Sequence, residues 1–316
     1  MKCFFHSSDL DGHASAAIVK MKYPGAELIG INYGQQIDYS KIVENEIIIM
    51  VDFCLQPFIE MVQLVQKIGM DKLTWIDHHV TAIKDAQDCI FDKIIPMNGK
   101  EPFSINFNDI CPGKREVGKA GCELTWEYFY PDEKMPFAVS LLGRYDVWDL
   151  HGSVLDFQYG MRLNNTWPDN QDMWKNYITP GQEEDPNIWV LDTIKQGEIV
   201  LKYQDQENEK YCKSCAFEIL FEGFKAIAVN KLLTSSQLFK SVWDKEKYDI
   251  MLTFGLRSNG FWTMSFYTDK EGIDCSLLAK KFGGGGHKQA AGCNFDELPI
   301  EFLRQVKKLL PVKEET

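Results

Sequence analysis

Four short segments of this 316-residue sequence place carboxylates and imidazoles where they could gather cations. The first is His6-Ser7-Ser8-Asp9-Leu10-Asp11-Gly12. The second is Asp52, which closes the apolar run Ile47-Ile48-Ile49-Met50-Val51. Asp77-His78-His79 follows Leu73-Thr74-Trp75-Ile76, and Asp146 lies in Gly143-Arg144-Tyr145-Asp146-Val147-Trp148-Asp149, with Asp149 one helical turn further on as its alternative. Carboxylate oxygens with imidazole nitrogens make a mixed hard and borderline donor set, suited to Mn²⁺, Mg²⁺, Co²⁺ or Zn²⁺. The donors outnumber the needs of one catalytic ion. Two ions about 3.5–4 Å apart, bridged by a carboxylate, could activate water and neutralise a phosphoryl group. Taken singly, each piece has a blander reading: Asp11 or Asp52 as a helix N-cap, the His pair as solvated surface, Asp146 as part of a charged helix end. Their recurrence weakens those readings. Of the six histidines, His6, His78, His79 and His287 fall in these segments or in the glycine run below. His13 and His151 read as packing or surface residues.

The elements that would position these groups alternate in the βαβ manner over the first 80 residues. Cys3–His6, Glu27–Ile31, Ile47–Val51 and Leu73–Ile76 read as strands, and Gly12–Met21 and Pro57–Ile68 as helices. Such alternation implies an α/β fold with a mostly parallel sheet flanked by helices. Ligands then collect at the carboxyl ends of the strands, where three of the four segments sit. Gly121–Tyr130 and Pro136–Trp148 read as further helices. The stretch 152–186, rich in Asn, Trp, Pro, Gly and acids, reads as irregular or as an insertion. A long polar helix over 187–210 would connect to a second, smaller α/β domain. That domain has expected strands at Phe217–Leu220, Phe224–Asn230, Tyr248–Leu256 and Trp262–Tyr267. Its expected helices are Ser236–Lys245, a segment around Ser276–Phe282, and Ile300–Leu310. The division is therefore 1–186, a connector over 187–213, and 214–316.

The second domain carries Phe282-Gly283-Gly284-Gly285-Gly286-His287-Lys288-Gln289-Ala290-Ala291-Gly292. Four consecutive glycines let a backbone approach an anion closely and aim its N–H groups at it. Alone, such a run would be a flexible linker. Inside a structured domain and followed by His and Lys, it reads as a binding loop.

At this point the sequence resembles a known family. His6-x-x-Asp9-x-Asp11-Gly12, Asp52, Asp77-His78-His79 and Asp146 are similar to the four successive motifs of the DHH phosphoesterases. That superfamily includes RecJ-type exonucleases, nanoRNases, cyclic-dinucleotide phosphodiesterases and manganese pyrophosphatases. The resemblance implies one ion on His6, Asp9 and a bridging Asp52, and a second on Asp11, Asp52, His78 and Asp146. It leaves Asp77 behind the ligands and turns His79 to the substrate phosphate. The glycine run resembles the Gly-Gly-Gly-His loop of the C-terminal domain that accompanies DHH domains in nanoRNases. Arg257-Ser258 matches that domain's substrate-binding arginine. Gly284, Gly285, Gly286, His287, Arg257 and Ser258 are thereby expected to bind the substrate. Together the resemblances cover most of the chain except 152–186.

The net charge of −12 is unevenly spread: residues 214–316 hold 14 Lys+Arg against 13 Asp+Glu, leaving −13 on the first 213. A protein that grips long nucleic acid usually shows a basic stripe, and this one does not. No apolar run approaches the roughly 20 residues of a membrane span. The N-terminus lacks the apolar region of a signal peptide, so a cytoplasmic protein is expected. The nine cysteines are odd in number and scattered. Cys3, Cys54, Cys122 and Cys293 stand in apolar or small-residue settings where a free thiol packs as a small hydrophobe. Cys212 and Cys215 form a lone C-x-x-C, with no second pair to complete a zinc site.

The function these features imply is a two-metal phosphodiesterase, with Mn²⁺ the expected cofactor. It would cut very short single-stranded oligonucleotides, linear dinucleotides to about pentamers, closest in kind to a nanoRNase (oligoribonuclease). His79 and Arg144 would stabilise charge on the phosphoryl group, Arg257 would suit a terminal phosphate, and Trp148 or Trp167 could stack on a base. No long nucleic acid and no membrane partner is expected, and the oligomeric state is open, a homodimer included. The alternatives are a cyclic-dinucleotide phosphodiesterase, a phosphatase of 3′-phosphoadenosine 5′-phosphate, and a nucleotide sensor without catalysis. A pyrophosphatase would close over its ligand with basic residues and lack the glycine–histidine loop, and a RecJ-like nuclease would want more basic surface.

Overall fold

Runs such as Ile48-Ile49-Met50-Val51, apolar at every position, suit strands covered on both faces. In the computed structural model, which describes residues 1–94, 103–181 and 186–307, these runs build one sheet. Its strands are β1 (Lys2–His6), β2 (Glu27–Ile31), β3 (Ile48–Val51) and β4 (Leu73–Ile76), all parallel, in the order β2-β1-β3-β4. The two-residue period of a strand sorts its side chains to opposite faces. Cys3, Phe5, Ile49, Val51 and Ile76 enter one core with α1 (Leu10–Lys22). Phe4, Ile48, Met50, Leu73 and Trp75 enter another with α2 (Ile59–Ile68), which contributes Met61, Val62, Leu64, Val65 and Ile68. The small residues Ala14, Ala16 and Ala17 let α1 settle closely into the first core.

Beyond β4 the chain forms α3 (Val80–Asp88), an antiparallel ribbon of β5 (Ile90–Ile94) and β6 (Phe103–Asn106), and the short α4 (Phe107–Ile110). Next come α5 (Gly121–Phe129) and α6 (Phe137–Asp146), close to their expected bounds.

The stretch 152–186 departs from expectation. Its described part is structural: α7 (Val154–Met161) and α8 (Gln171–Trp174) sit in it, and Val154, Phe157, Met161, Trp174, Tyr177 and Ile178 are buried in the first core. The helical spacing of Val154, Phe157 and Met161 was the available signal. The surrounding Asn, Pro and Gly residues end the helices; they do not prevent them.

The chain divides into two compact units, Met1–Leu201 and Lys202–Thr316, with the division inside α9 (Ile188–Cys215). The sequence-based boundaries lie at 186/187 and 213/214, on either side of that point. The second unit holds a six-stranded sheet made of β7 (Phe217–Phe221), β8 (Phe224–Asn230), β9 (Ile250–Leu256), β10 (Trp262–Tyr267), β11 (Gly285–Gly286) and β12 (Ala290–Phe295), in the order β11-β12-β10-β9-β8-β7. Only β8 and β9 pair in parallel. α10 (Cys275–Lys280) and α11 (Ile300–Lys307) supply Leu278, Ala279 and Phe302 to its core; the expected residues 308–310 of the last helix lie outside the described ones.

The helix expected over Ser236–Lys245 is a correction. A 3-10 turn covers Ser236–Phe239, and the chain then breaks into turns, with the Trp243 indole N–H bonded to Asp269 and the Asp244 carboxylate accepting the Glu246 N–H. Side-chain and tertiary bonds there outcompete a helix of modest propensity. Among the described residues, no helix is long and apolar enough to cross a membrane.

Candidate metal centre

The carboxyl ends of β1, β3 and β4 bring the first three segments together. Asp9 caps α1, its Oδ1 accepting the Gly12 N–H at 3.0 Å. Asp11, in the first turn of the helix, accepts the N–H groups of Gly121 and Cys122 at 2.8 and 2.7 Å, so its carboxylate joins α1 to the N-terminus of α5. This close approach requires glycine: a Cβ on Gly121 would stand 2.6 Å from the Asp52 Cβ and 3.0 Å from Asp11 Oδ2. Asp52 follows β3 with φ 52°, a left-handed conformation that Asp adopts more readily than most residues. Asp77 follows β4 and its Oδ1 accepts the backbone N–H groups of His78 and His79 and faces His79 Nδ1 at 2.7 Å. One carboxylate thus orients the whole His pair.

Asp52 is the hub. Its Oδ2 lies 3.7 Å from His6 Nδ1, which is itself 2.9 Å from Asp9 Oδ2. Its Oδ1 lies 3.2 Å from His78 Nε2. The same nitrogen is 3.4 Å from Asp146 Oδ2 and 3.8 Å from Asp11 Oδ2. Within the first unit three sets of donors can each bring one atom per residue within 4.8 Å of the others: His6, Asp9 and Asp52; Asp11, Asp52 and His78; and Asp52, Asp77 and His79. Asp52 belongs to all three.

The electrostatics show a site short of positive charge. Burial, then the charges of Asp52 and Asp146, push Asp11 well above the carboxylate range. Burial also raises Asp146 to about 7, with Asp52 adding to it and His78 opposing. Burial works against charged His6 and His78, yet their carboxylate neighbours, Asp52 foremost, hold both up at about 11. Asp52, despite its burial, is held far below the usual range by His6 and His78.

Among the described residues four buried carboxylate oxygens have no hydrogen-bond partner, and three of them, Asp52 Oδ1, Asp77 Oδ2 and Asp146 Oδ2, belong to this cluster, the fourth being Asp205 Oδ1. Each would cost about 1–3 kcal/mol if left unsatisfied. The concentration of three at one place, with imidazoles beside them, fits divalent cations. The buried Asp and His cluster can therefore bind metal.

The remaining sequence-derived residues fall as follows. Asp146, and not Asp149, stands against His78. Asp149 accepts Arg144 Nε at 2.7 Å, and the Arg144 guanidinium also donates to the His151 carbonyl at 2.8 Å. His13 packs as expected, bonded to Thr166 and to the Ser7 carbonyl and edge-on to Trp167. Trp148, with φ 66°, follows α6; Trp167 is 41% exposed and meets Phe5 and His13 edge-on.

In the second unit, Gly285 and Gly286 pair with Gly292 and Ala291, and His287 and Ala290 close a tight hairpin. A Cβ on Gly284 would stand 2.1 Å from the Gly292 carbonyl oxygen, so part of the glycine run serves close strand pairing. Arg257 and Ser258 are exposed in the turn after β9. The registers place that turn beside the Leu256–Trp262–Phe295 end of the sheet and His287 beside the Met251–Tyr267–Ala290 end, so the two are not brought together. All nine cysteines are free; Cys212 is buried and Cys215 exposed.

Residues missed by sequence reasoning are Asn32, Tyr33 and Gly121. Asn32-Tyr33-Gly34 follows β2, so its place at the same carboxyl edge was the available signal.

No protein-family model matches the chain. A curated relative, an uncharacterised protein of Acanthamoeba polyphaga mimivirus, is 27% identical over 192 residues, 56% of this chain and 41% of that protein, so the chain spans less than half the relative's length. Among solved structures, the DHH domain of a member of the s1p family of ribosomal proteins superposes with a TM-score of 0.54 at 14% identity, covering 99% of this chain and 87% of that one. A pGpG-specific phosphodiesterase from Vibrio cholerae aligns more loosely, with a TM-score of 0.47 at 11% identity over 98% of this chain and 96% of its own. The fold is DHH-like.

Proposed function

We propose that this chain is a divalent-metal-dependent phosphoesterase of the DHH kind that hydrolyses very short oligonucleotides, linear dinucleotides to about pentamers, to mononucleotides. The observation that carries the reading is the convergence of three donor sets on Asp52 at one sheet edge, with orphaned carboxylate oxygens among them. His6 and Asp9 would hold one ion, Asp11, His78 and Asp146 a second, with Asp52 shared. When bound, two such ions, Mn²⁺ first among candidates, supply positive charge for a phosphoryl group and lower the pKa of water.

The chain's own residues do the rest. Asp77 fixes His79 by accepting from its Nδ1; burial opposes charge on that imidazole, but Asp77 and Asp52 raise its pKa above the ordinary histidine value, which favours a ring that donates to a phosphoryl oxygen. Arg144 keeps N–H groups beyond its two bonds and can add to that charge. Arg257, Ser258 and the Gly284–His287 segment of the second unit are assigned to substrate recognition. The even charge of that unit, with no basic stripe, favours short substrates over long strands.

The test is a comparison of initial rates, with Mn²⁺ present, on linear di- to decanucleotides, cyclic dinucleotides, 3′-phosphoadenosine 5′-phosphate and pyrophosphate. Rates greatest on the shortest linear substrates are expected. A preference for cyclic dinucleotides or for the mononucleotide bisphosphate would replace the substrate assignment, and binding without turnover would make the protein a sensor.

A further inference from the structure

Tyr33 lies two residues beyond β2, on the edge from which Asp9, Asp52 and Asp77 project. Its position is built. The Asn32 N–H donates to the Gln35 side-chain oxygen at 2.8 Å, and the Gln35 N–H to the Asn32 carbonyl at 3.0 Å. With Gly34 at φ 87°, this is the turn that places Tyr33 at its first corner and glycine at its second. The Asn32 side-chain oxygen accepts the hydroxyls of Ser7 and Ser8 at 3.2 and 2.7 Å, tying the turn to the loop that carries His6 and Asp9.

The ring of Tyr33 is seated on three others. Its centroid is 5.0 Å from that of Phe53, 5.6 Å from His6 and 5.8 Å from His79. It therefore stands between a donor of the first set and the histidine assigned to the phosphate. It is nevertheless 43% exposed, and among the described residues its hydroxyl has no hydrogen-bond partner. A packing residue would not need a hydroxyl here. A phosphodiester entering a cluster of carboxylates does need donors, and a phenol donates without altering the site's charge.

We infer that Tyr33 is a substrate-contacting residue, its hydroxyl donating a hydrogen bond to a nonbridging phosphoryl oxygen on the His6 and His79 side of the cluster. This rests on the phosphoesterase reading, and it adds a neutral donor to a site otherwise described by its charges. The turn and the Asn32 tether then serve to hold that donor in register with the histidines.

Tyr33→Phe removes the hydroxyl and keeps the ring seated, whereas Tyr33→Ala removes both. The experiment compares the full-length wild type and both variants, each loaded with Mn²⁺. It measures ions bound per chain, kcat and KM on a linear diribonucleotide, and calorimetric binding of inorganic phosphate. Tyr33→Phe should bind as many ions as the wild type, yet lose about ten- to a hundredfold in kcat/KM and comparably in phosphate affinity, as expected for a hydrogen bond to a charged group. Tyr33→Phe equal to wild type in both, with only Tyr33→Ala impaired, would show that the ring acts by packing and would overturn the inference. So would a loss that tracks missing Mn²⁺. A wild type that binds phosphate without cleaving the dinucleotide would defeat the proposed function while leaving Tyr33 to be judged on phosphate affinity. A wild type that does neither would remove both.

Discussion

Asp146 is held where its charge is disfavoured. Burial and the neighbouring Asp52 raise its pKa to about 7. A carboxyl whose folded pKa lies above its unfolded value binds more protons when folded, so without metal it costs stability as pH rises from about 4 towards 7. Asp146→Asn should therefore leave the metal-free protein at pH 8 as stable as the wild type or more so. It should also lose most of the stabilisation that Mn²⁺ gives the wild type. Thermal unfolding with and without Mn²⁺ checks both halves; a variant stabilised by Mn²⁺ as strongly as the wild type would take Asp146 out of the site. At this scale the charged residues of the first three segments were legible because each segment follows an apolar run, and a carboxylate there has few structural uses; Asp146, at a helix end, was legible only beside them. Tyr33 and Asn32 were not, since an uncharged pair after a strand looks like any turn. The splitting of Asp77 between its His-orienting Oδ1 and its orphaned Oδ2 was also beyond reach, because it depends on the local path of the chain after β4.

Strands β1, β3 and β4 were readable because buried parallel strands admit little but apolar residues, the edge strand β2 because its apolar residues fall in step with theirs, and α1 and α5 because their apolar faces recur at helical spacing. What the spacing hides is the contact between them, where the Asp11 carboxylate meets the first N–H groups of α5 across Gly121. Gly121→Ala should push Asp11 and Asp52 aside. We expect turnover to fall about ten- to a hundredfold, the range for lost support of metal ligands, with weakened Mn²⁺ binding. Gly25→Ala, where a Cβ would meet nothing within 4 Å, serves as the control. Equal rates in the two variants would show that the Asp11–α5 junction does not set the geometry of the site. The described part of 152–186 was misread for a different reason. Polar and helix-ending residues dominate its composition, while several of its apolar ones, Phe157 and Trp174 among them, are fully buried.

On the scale of the whole chain, the acidic first unit and the nearly neutral second unit suggest separate work. Arg257→Ala should lose about ten- to a hundredfold in affinity for a short oligonucleotide, as for a charge-assisted hydrogen bond. It should keep most activity on bis-p-nitrophenyl phosphate, whereas Asp11→Ala should lose both. Equal losses on both substrates for Arg257→Ala would mean that the second unit takes part in the chemistry itself. The separation of Arg257 from His287 along the sheet could not be foreseen, since it follows from strand register and not from residue type. The central claim, that the cluster around Asp52 is a metal centre which cleaves phosphodiesters, is tested most directly by following diribonucleotide cleavage against the number of Mn²⁺ ions bound per chain. The account predicts no cleavage in excess chelator and a rate that rises to its maximum only as a second ion binds. Full cleavage in chelator, or none at saturating Mn²⁺, would contradict it.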